Sequence, residues 1–409
     1  MKKWGISGAT TVTPDEVINE STVIINNDKI EKVSGKESKT NLMIDIDNGI
    51  LVPGLINSHD HLIGNYYPKV GNGPYENWLP WDNDLKSSPV YEERQQIENR
   101  DLYLLAGYRN LVSGVTSVSD HIPHFVSKPF LDIIPTQVIR DYSLAHSISS
   151  FALLWGDEIE VEYKKALDND APFITHIAEG FDPETLRDIQ VLDKKGGLGD
   201  HSVLVHGLAF SDDDIKLIAK KGASVVWCAD SNMFMFNRTG RVREWLNAGI
   251  NVCIGTDSPM SGGEHLLYEM KFDREYFREF YKKELPDKQI VMMVTSNPAK
   301  AFRLKKNGKI KSGYYADLVV FANKDDDPYT SIVDADLTDV KLVVIKGKPV
   351  YGDIEYRALF DSLGVGYQEI VMDGVEKIII GDLLGVLKRI SRAVGFKKEF
   401  PFMPVEFEV

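Results

Sequence analysis

Cysteine is scarce. The 409 residues contain two, Cys228 and Cys253, each inside an apolar, strand-like run. Two such thiols exclude a disulfide-stapled scaffold and read most simply as buried and reduced, which leads to the expectation of a cytoplasmic protein. Positive charge is also in deficit: 47 Lys and Arg stand against 61 Asp and Glu, a formal net charge of −14. A surface of that sign repels phosphate backbones and argues against nucleic acid as a partner. No stretch reaches the roughly 20 apolar residues of a membrane span. The start, Met1-Lys2-Lys3-Trp4-Gly5, runs into Ser7, Gly8 and a threonine-rich stretch where a signal peptide needs an apolar run. Short-period repeats and low-complexity tracts are missing too. What is present is ordinary for a globular chain, 43% hydrophobic and 26% charged. The length suits two or three domains, or one large barrel with additions.

The first stretch, through Val23-Ile24-Ile25, Lys29 to Val33 and Met43 to Ile46, reads as short strands between Asn-Asp and Gly turns. Ala316 to Phe321 and Val340 to Tyr351 repeat that character, so a β layer drawn from both ends of the chain is expected. Between them, short apolar runs (Val115 to Val118, Phe173 to Thr175, Val203 to Val205, Ser224 to Val226, Asn251 to Ile254) alternate with longer amphipathic segments. That alternation predicts parallel strands with crossover helices. Over about 260 residues it fits a (β/α)8 TIM-type barrel, although an open doubly wound sheet has the same local pattern. The expected division is a first β-sandwich segment at 1–54, the barrel at 55–312, a second sandwich segment at 313–352, and a small appendage at 353–409. The appendage carries a hairpin signal at Val371-Met372-Asp373-Gly374-Val375 and an amphipathic helix from about Leu383 to Val394.

Polar residues gather at the strand ends. Asn57-Ser58-His59-Asp60-His61 follows Leu51 to Ile56, and residues two apart in a strand share a face, so both imidazoles can enter one cavity and share a divalent metal. His176 ends the strand Phe173-Ile174-Thr175, with Glu179 three residues on. His206 terminates Ser202 to Val205, and Asp257 follows Val252 to Thr256. Taken singly, each has an ordinary reading as a loop histidine, a solvated acid or a helix cap. As a set they are what a metal cavity requires.

These residues carry a resemblance. Pro53-Gly54-Leu55-Ile56-Asn57-Ser58-His59-Asp60-His61-Leu62, His176-Ile177-Ala178-Glu179, His206-Gly207 and Gly255-Thr256-Asp257-Ser258, in that order, resemble the amidohydrolase superfamily. The nearest branch is that of cytosine deaminase, S-adenosylhomocysteine deaminase and the triazine hydrolases. Ser113-Gly114-Val115-Thr116, Asn297-Pro298-Ala299-Lys300-Ala301 and Ala316-Asp317-Leu318-Val319-Val320 add to it, and the likeness spans roughly residues 1–352. It implies a metal-dependent hydrolase with His59, His61, His176 and Asp257 as ligands, Glu179 as proton-carrying acid and base, and His206 in contact with the attacking water or the substrate. Asp257 would take part in catalysis as well as ligation. Imidazole and carboxylate donors suit zinc, or ferrous iron. Binuclear members resemble one another in using a carboxylated lysine of the fourth strand; Gln137 to Leu154 contains no lysine, so one metal is expected.

Two departures stand out. Where many relatives read His-Cys-Pro-x-Ser-Asn, this chain has Trp227-Cys228-Ala229-Asp230-Ser231-Asn232, and Trp227 is expected to lie at the pocket mouth within reach of substrate. The tail beyond the resemblance is rich in aromatics. Two further substrate contacts are expected: His121, after Val115 to Ser119, and Trp81, in the Gly- and Pro-rich aromatic run Tyr66 to Trp81. None of His121, His146, His201 and His265 is expected to bind metal. The reaction read from this set is attack of activated water on a trigonal carbon, most plausibly deamination of a nitrogen heterocycle. Amide or carbon–chlorine hydrolysis by the same residues, and a noncatalytic metal-binding scaffold, are the alternatives. A small-molecule substrate is expected; the number of subunits, a homo-oligomer included, is left open.

Overall fold

The structure is a computed structural model that describes residues 3–13, 16–35 and 39–409; Met1 and Lys2, part of the segment considered for a signal peptide, lie outside it. Five strands open the chain: β1 (Trp4–Val12), β2 (Val17–Asn26), β3 (Lys29–Ser34), β4 (Met43–Asp45) and β5 (Gly49–Pro53). The central region contributes β6 (Leu55–Asp60), β7 (Val115–Asp120), β8 (Gln137–Val138), β9 (Ser143–Leu144), β10 (Phe173–Ile177), β11 (Ser202–His206), β12 (Ser224–Trp227) and β13 (Asn251–Ile254). Five more close it: β14 (Leu318–Ala322), β15 (Val340–Ile345), β16 (Lys348–Asp353), β17 (Gln368–Met372) and β18 (Val375–Ile379).

The strands from both ends join in one ten-stranded sheet, ordered β17-β18-β16-β15-β14-β5-β1-β2-β3, with β4 on β1. Two-residue turns set its hairpins. Lys346-Gly347 and Asp373-Gly374 both hold positive φ at each position, the conformation whose twist matches paired strands and which glycine enters without steric cost. The hairpin expected in the appendage thus supplies the two outermost strands of this sheet. The tail helix Leu383–Val394 packs on the helix Asn99–Val112, where Arg389 pairs with Asp101 at 2.8 Å.

The central strands form two parallel sheets, β13-β12-β11-β10-β9 and β6-β7-β8. Helices follow most of them, and the helix Asp212–Lys221 shows the local logic: Ser211 and Asp214 make a reciprocal capping box and Gly222 ends the helix at φ 76°, satisfying backbone groups that a helix leaves open. The alternation fails at one place. Only four residues, with no helix, separate β8 from β9, whereas adjacent parallel strands need a crossover of a dozen or more. β8 pairs with β7 and β9 with β10, so 137–144 runs as one bent segment with β7 on one side and β10 on the other. At the other junction, the Asp257 N–H donates to the His59 carbonyl (3.1 Å), and Asn57 donates to Thr256 Oγ1 at 2.9 Å. Ile56, Ile174, Val203, Val226 and Cys253 share one core cluster, while Val225, Trp227, Val252 and Ile254 belong to the layer packed against the helices. No helix among the described residues is long and apolar enough to cross a membrane.

Candidate metal centre and active site

The carboxyl ends of the parallel strands bring His59, His61, His176 and Asp257 together. Ring centroids of His59 and His61 lie 4.8 Å apart, and His176 lies 5.0 and 5.3 Å from them. Asp257 Oδ1 is 3.6 Å from Nε2 of both His59 and His61. Backbone strain accompanies this placement. Ala178, His206 and Asp257 hold φ of 49°, 76° and 52°, a left-handed conformation costly for side chains with a Cβ and characteristic of functional sites.

Hydrogen bonds fix which nitrogen of each ring is free. His61 Nδ1–H donates to the His121 carbonyl (3.1 Å), and His176 Nδ1–H donates to the His146 carbonyl (2.6 Å). Such outer partners set the tautomer and leave the other nitrogen as a bare lone pair. The two bare Nε2 atoms then face each other at 3.3 Å, a repulsive arrangement that a cation between them relieves. Asp257 follows the same pattern: Ser231 and Ser261 hydroxyls hold Oδ2 at 2.7 and 2.8 Å, while Oδ1 and both His59 nitrogens are buried without partners. Buried polar atoms are rarely left unpaired. Donor chemistry and orphaned lone pairs therefore fit a divalent metal, and burial pushes His59 and His176 well below the usual imidazole range, keeping them neutral as ligands.

Glu179 lies beside this group, 8% exposed. Burial, reinforced by the charges of Asp257 and Asp188, pushes its carboxyl well above the ordinary range, as suits a group that holds and releases a proton. Its Oε1 is 3.6 Å from His206 Nε2, and His206 Nδ1–H donates to Asn232 Oδ1 at 2.9 Å.

One aromatic expectation is corrected. Trp227 faces the helices: its ring lies 6.5 Å from Tyr276, and its Nε1–H donates to Thr239 Oγ1 at 2.7 Å. Period-two alternation turns Val226 and Cys228 inward and Trp227 outward, so its link to the site is indirect, through Thr239, which also accepts from Asn232 (3.1 Å). Trp81 spends its indole N–H on the Val70 carbonyl (2.9 Å). The aromatics that near the histidines are Trp155, with ring distances of 5.6 Å to His121 and 4.6 Å to His146, and Trp78, 4.7 Å from His146. His121 is buried among the site histidines, 4.4 Å from His176. His201 donates to the Ala171 carbonyl at the start of β11, and His265 caps the helix Leu266–Tyr281. Sequence reasoning did not assign roles to Ser231, Asn232, Ser261 or Trp155. Ser231 and Asn232 stand in the run Trp227 to Asn232, where the Ser-Asn pair is a usable signal; Trp155 has none.

Residues 158–350 match the amidohydrolase family model. The 5-methylthioadenosine/S-adenosylhomocysteine deaminase of Pyrococcus furiosus is 25% identical over 353 residues, 74% of this chain and 82% of that protein. Among solved structures, a zinc complex of atrazine chlorohydrolase from Arthrobacter aurescens has a TM-score of 0.72 at 19% identity, covering 88% of this chain and 99% of that one. A zinc-bound adenosine deaminase from Xanthomonas campestris has 0.70 at 18%, covering 88% and 96%. By these matches the chain is a hydrolase acting on carbon–nitrogen bonds, similar over residues 158–350 to the amidohydrolase family, and its structural neighbours imply a TIM-type fold. Within that class it resembles the deaminase and triazine hydrolase branch, and its histidine-rich centre suits a divalent metal.

Proposed function

We propose that this protein deaminates a planar nitrogen heterocycle, with one zinc ion held by His59, His61, His176 and Asp257. When bound, the metal supplies Lewis acidity that lowers the pKa of water from 15.7 to about 7. Glu179 takes a proton as the water oxygen bonds to the ring carbon, then passes it to the amine nitrogen, so that the carbon–nitrogen bond breaks and ammonia leaves. His206, its Nδ1–H committed to Asn232, presents Nε2 as an acceptor that orients the same water. Trp155 and Trp78 offer flat apolar faces to a ring. The observation that carries this reading is the set of unpartnered donors on His59 and Asp257 beside the buried carboxyl of Glu179. The named activities of the relatives support an adenosine-type or related heterocycle as substrate.

The proposed architecture is a TIM-type barrel made of both parallel sheets, with its wall shortened at 137–144 relative to a full (β/α)8 ring, flanked by a β-sandwich from both termini. The division into 1–54, 55–312, 313–352 and 353–409, and a cytoplasmic location, belong to the same proposal. Glu179→Gln should retain the metal yet lower ammonia release from the best of a panel of purine nucleosides, guanine, pyrimidines, pterins and triazines by about 10²-fold or more. A metal-loaded variant with wild-type rates removes Glu179 from the mechanism. An indifferent variant together with no turnover of any panel member by the parent would favour the scaffold alternative.

A further inference from the structure

We infer that His121 is a fifth protein donor to the metal, beyond the four strand-end ligands. The inference rests on the metal-site reading above and extends it. His121 stands just past β7. Its Nε2–H donates to the Ala145 carbonyl at 3.0 Å, which leaves Nδ1 as the bare nitrogen, and that atom is buried with no hydrogen-bond partner. This is the arrangement seen at His61 and His176: one ring nitrogen spent on a backbone carbonyl, the other left free of any hydrogen bond. Donor atoms of His59, His121 and His176 all lie within 4.8 Å of one another, as do those of His59, His61 and Asp257. The two groups meet at His59. His121 is fully buried, so no solvent satisfies its lone pair.

The shortened wall gives the cause. Because 137–144 is a single bent segment, only one width of chain separates β7 from β10, and His121, the residue after β7, reaches the ring of His176, centroid to centroid 4.4 Å. The Ala145 carbonyl that fixes the His121 tautomer and the His146 carbonyl that fixes that of His176 are consecutive groups of the backbone just after β9. One short stretch therefore orients both rings.

The test uses cobalt(II) in place of the native metal. In His121→Cys, the thiolate sulfur stands near the present position of Cγ, one bond short of Nδ1, a gap narrowed by the longer metal–sulfur bond (about 2.3 Å against about 2.0–2.1 Å to nitrogen), and a sulfur ligand adds a sulfur-to-cobalt charge-transfer band in the near ultraviolet that the parent protein lacks. The expected result is that band, together with an affinity loss of at least about tenfold in His121→Ala measured against a chelator; outer-shell changes alone typically cost 10- to 100-fold. A folded, cobalt-loaded His121→Cys protein without the band overturns the inference. So does a His121→Ala protein whose cobalt spectrum and chelator resistance match the parent, whichever variant is the better behaved. His61→Ala distinguishes this failure from the broader one: if it too keeps full cobalt affinity, the four-ligand reading itself falls.

Discussion

Replacing Arg109 with Met tests how the metal-binding strand is held in place. The guanidinium is 1% exposed. It donates to Asp60 Oδ2 at 2.8 Å and Asn65 Oδ1 at 2.9 Å, and to the Glu264 and Gly263 carbonyls at 2.6 and 2.7 Å. It thereby ties Asp60, the residue between His59 and His61, to the loop that follows Asp257. Methionine keeps the apolar stem over Phe402, whose ring lies 5.8 Å from the guanidinium, and removes the charge. Asp60 is then stranded, and burial already raises its pKa even with Arg109 present. Breaking a buried pair from one side costs about 3–5 kcal/mol. With an unfolding entropy of about 2.1 cal/mol/K per residue over 409 residues, that is a fall in Tm of roughly 3–6 °C, read by calorimetry or circular dichroism. Adding Asp60→Asn neutralises the stranded carboxylate and should recover about 1–3 kcal/mol, a positive coupling in the double-mutant cycle. Metal content after dialysis should fall in the single variant, because the His59–Asp257 geometry loosens. An R109M protein melting within about 1 °C of the parent, with no coupling to Asp60→Asn, would refute the reasoning.

Trp155→Ala should raise KM by roughly five- to 150-fold, the equivalent of about 1–3 kcal/mol of base stacking, with metal content unchanged; an unaltered KM would remove the indole from the substrate wall. Trp227→Phe should lower stability by about 1 kcal/mol through the lost bond to Thr239, and slow all substrates alike. A changed order of preference across the substrate panel would return Trp227 to the pocket. Asp188 is held near 7, from 3.8, chiefly by burial and further by the charges of Asp182 and Glu184. A raised folded-state value means its contribution is full below 3.8 and is lost as pH rises through about 7. Asp188→Asn, which can still accept the Ala178 N–H, should therefore gain stability over the parent between pH 4 and 8, by up to about 4 kcal/mol, and a pH-independent difference in denaturation midpoint would contradict this.

Local chemistry made much of the molecule legible in the chain. Hairpins at Lys346-Gly347 and Asp373-Gly374 follow from turn residues, and the helix Leu383–Val394 from its apolar stripe. The positions of His59, His61, His176, His206 and Asp257 follow from polar residues standing at the ends of apolar runs. These signals lie within a few residues of one another, and the backbone periods carry them directly. Which way a side chain turns beyond a strand end was decided only by the fold. The left-handed residues Ala178, His206 and Asp257 break the two-residue alternation, so its phase cannot be carried past them, and the orientation of Trp227 depends on which layer β12 packs against. The Arg109–Asp60 tie, the Ser231 and Ser261 hold on Asp257 and the Asn232 bond to His206 join residues 4 to 49 positions apart. His121 nears His176 because the crossover expected between β8 and β9 is missing. Such contacts leave no periodic trace in the chain; they exist because packing brings distant segments together and burial then requires every polar atom there to find a partner.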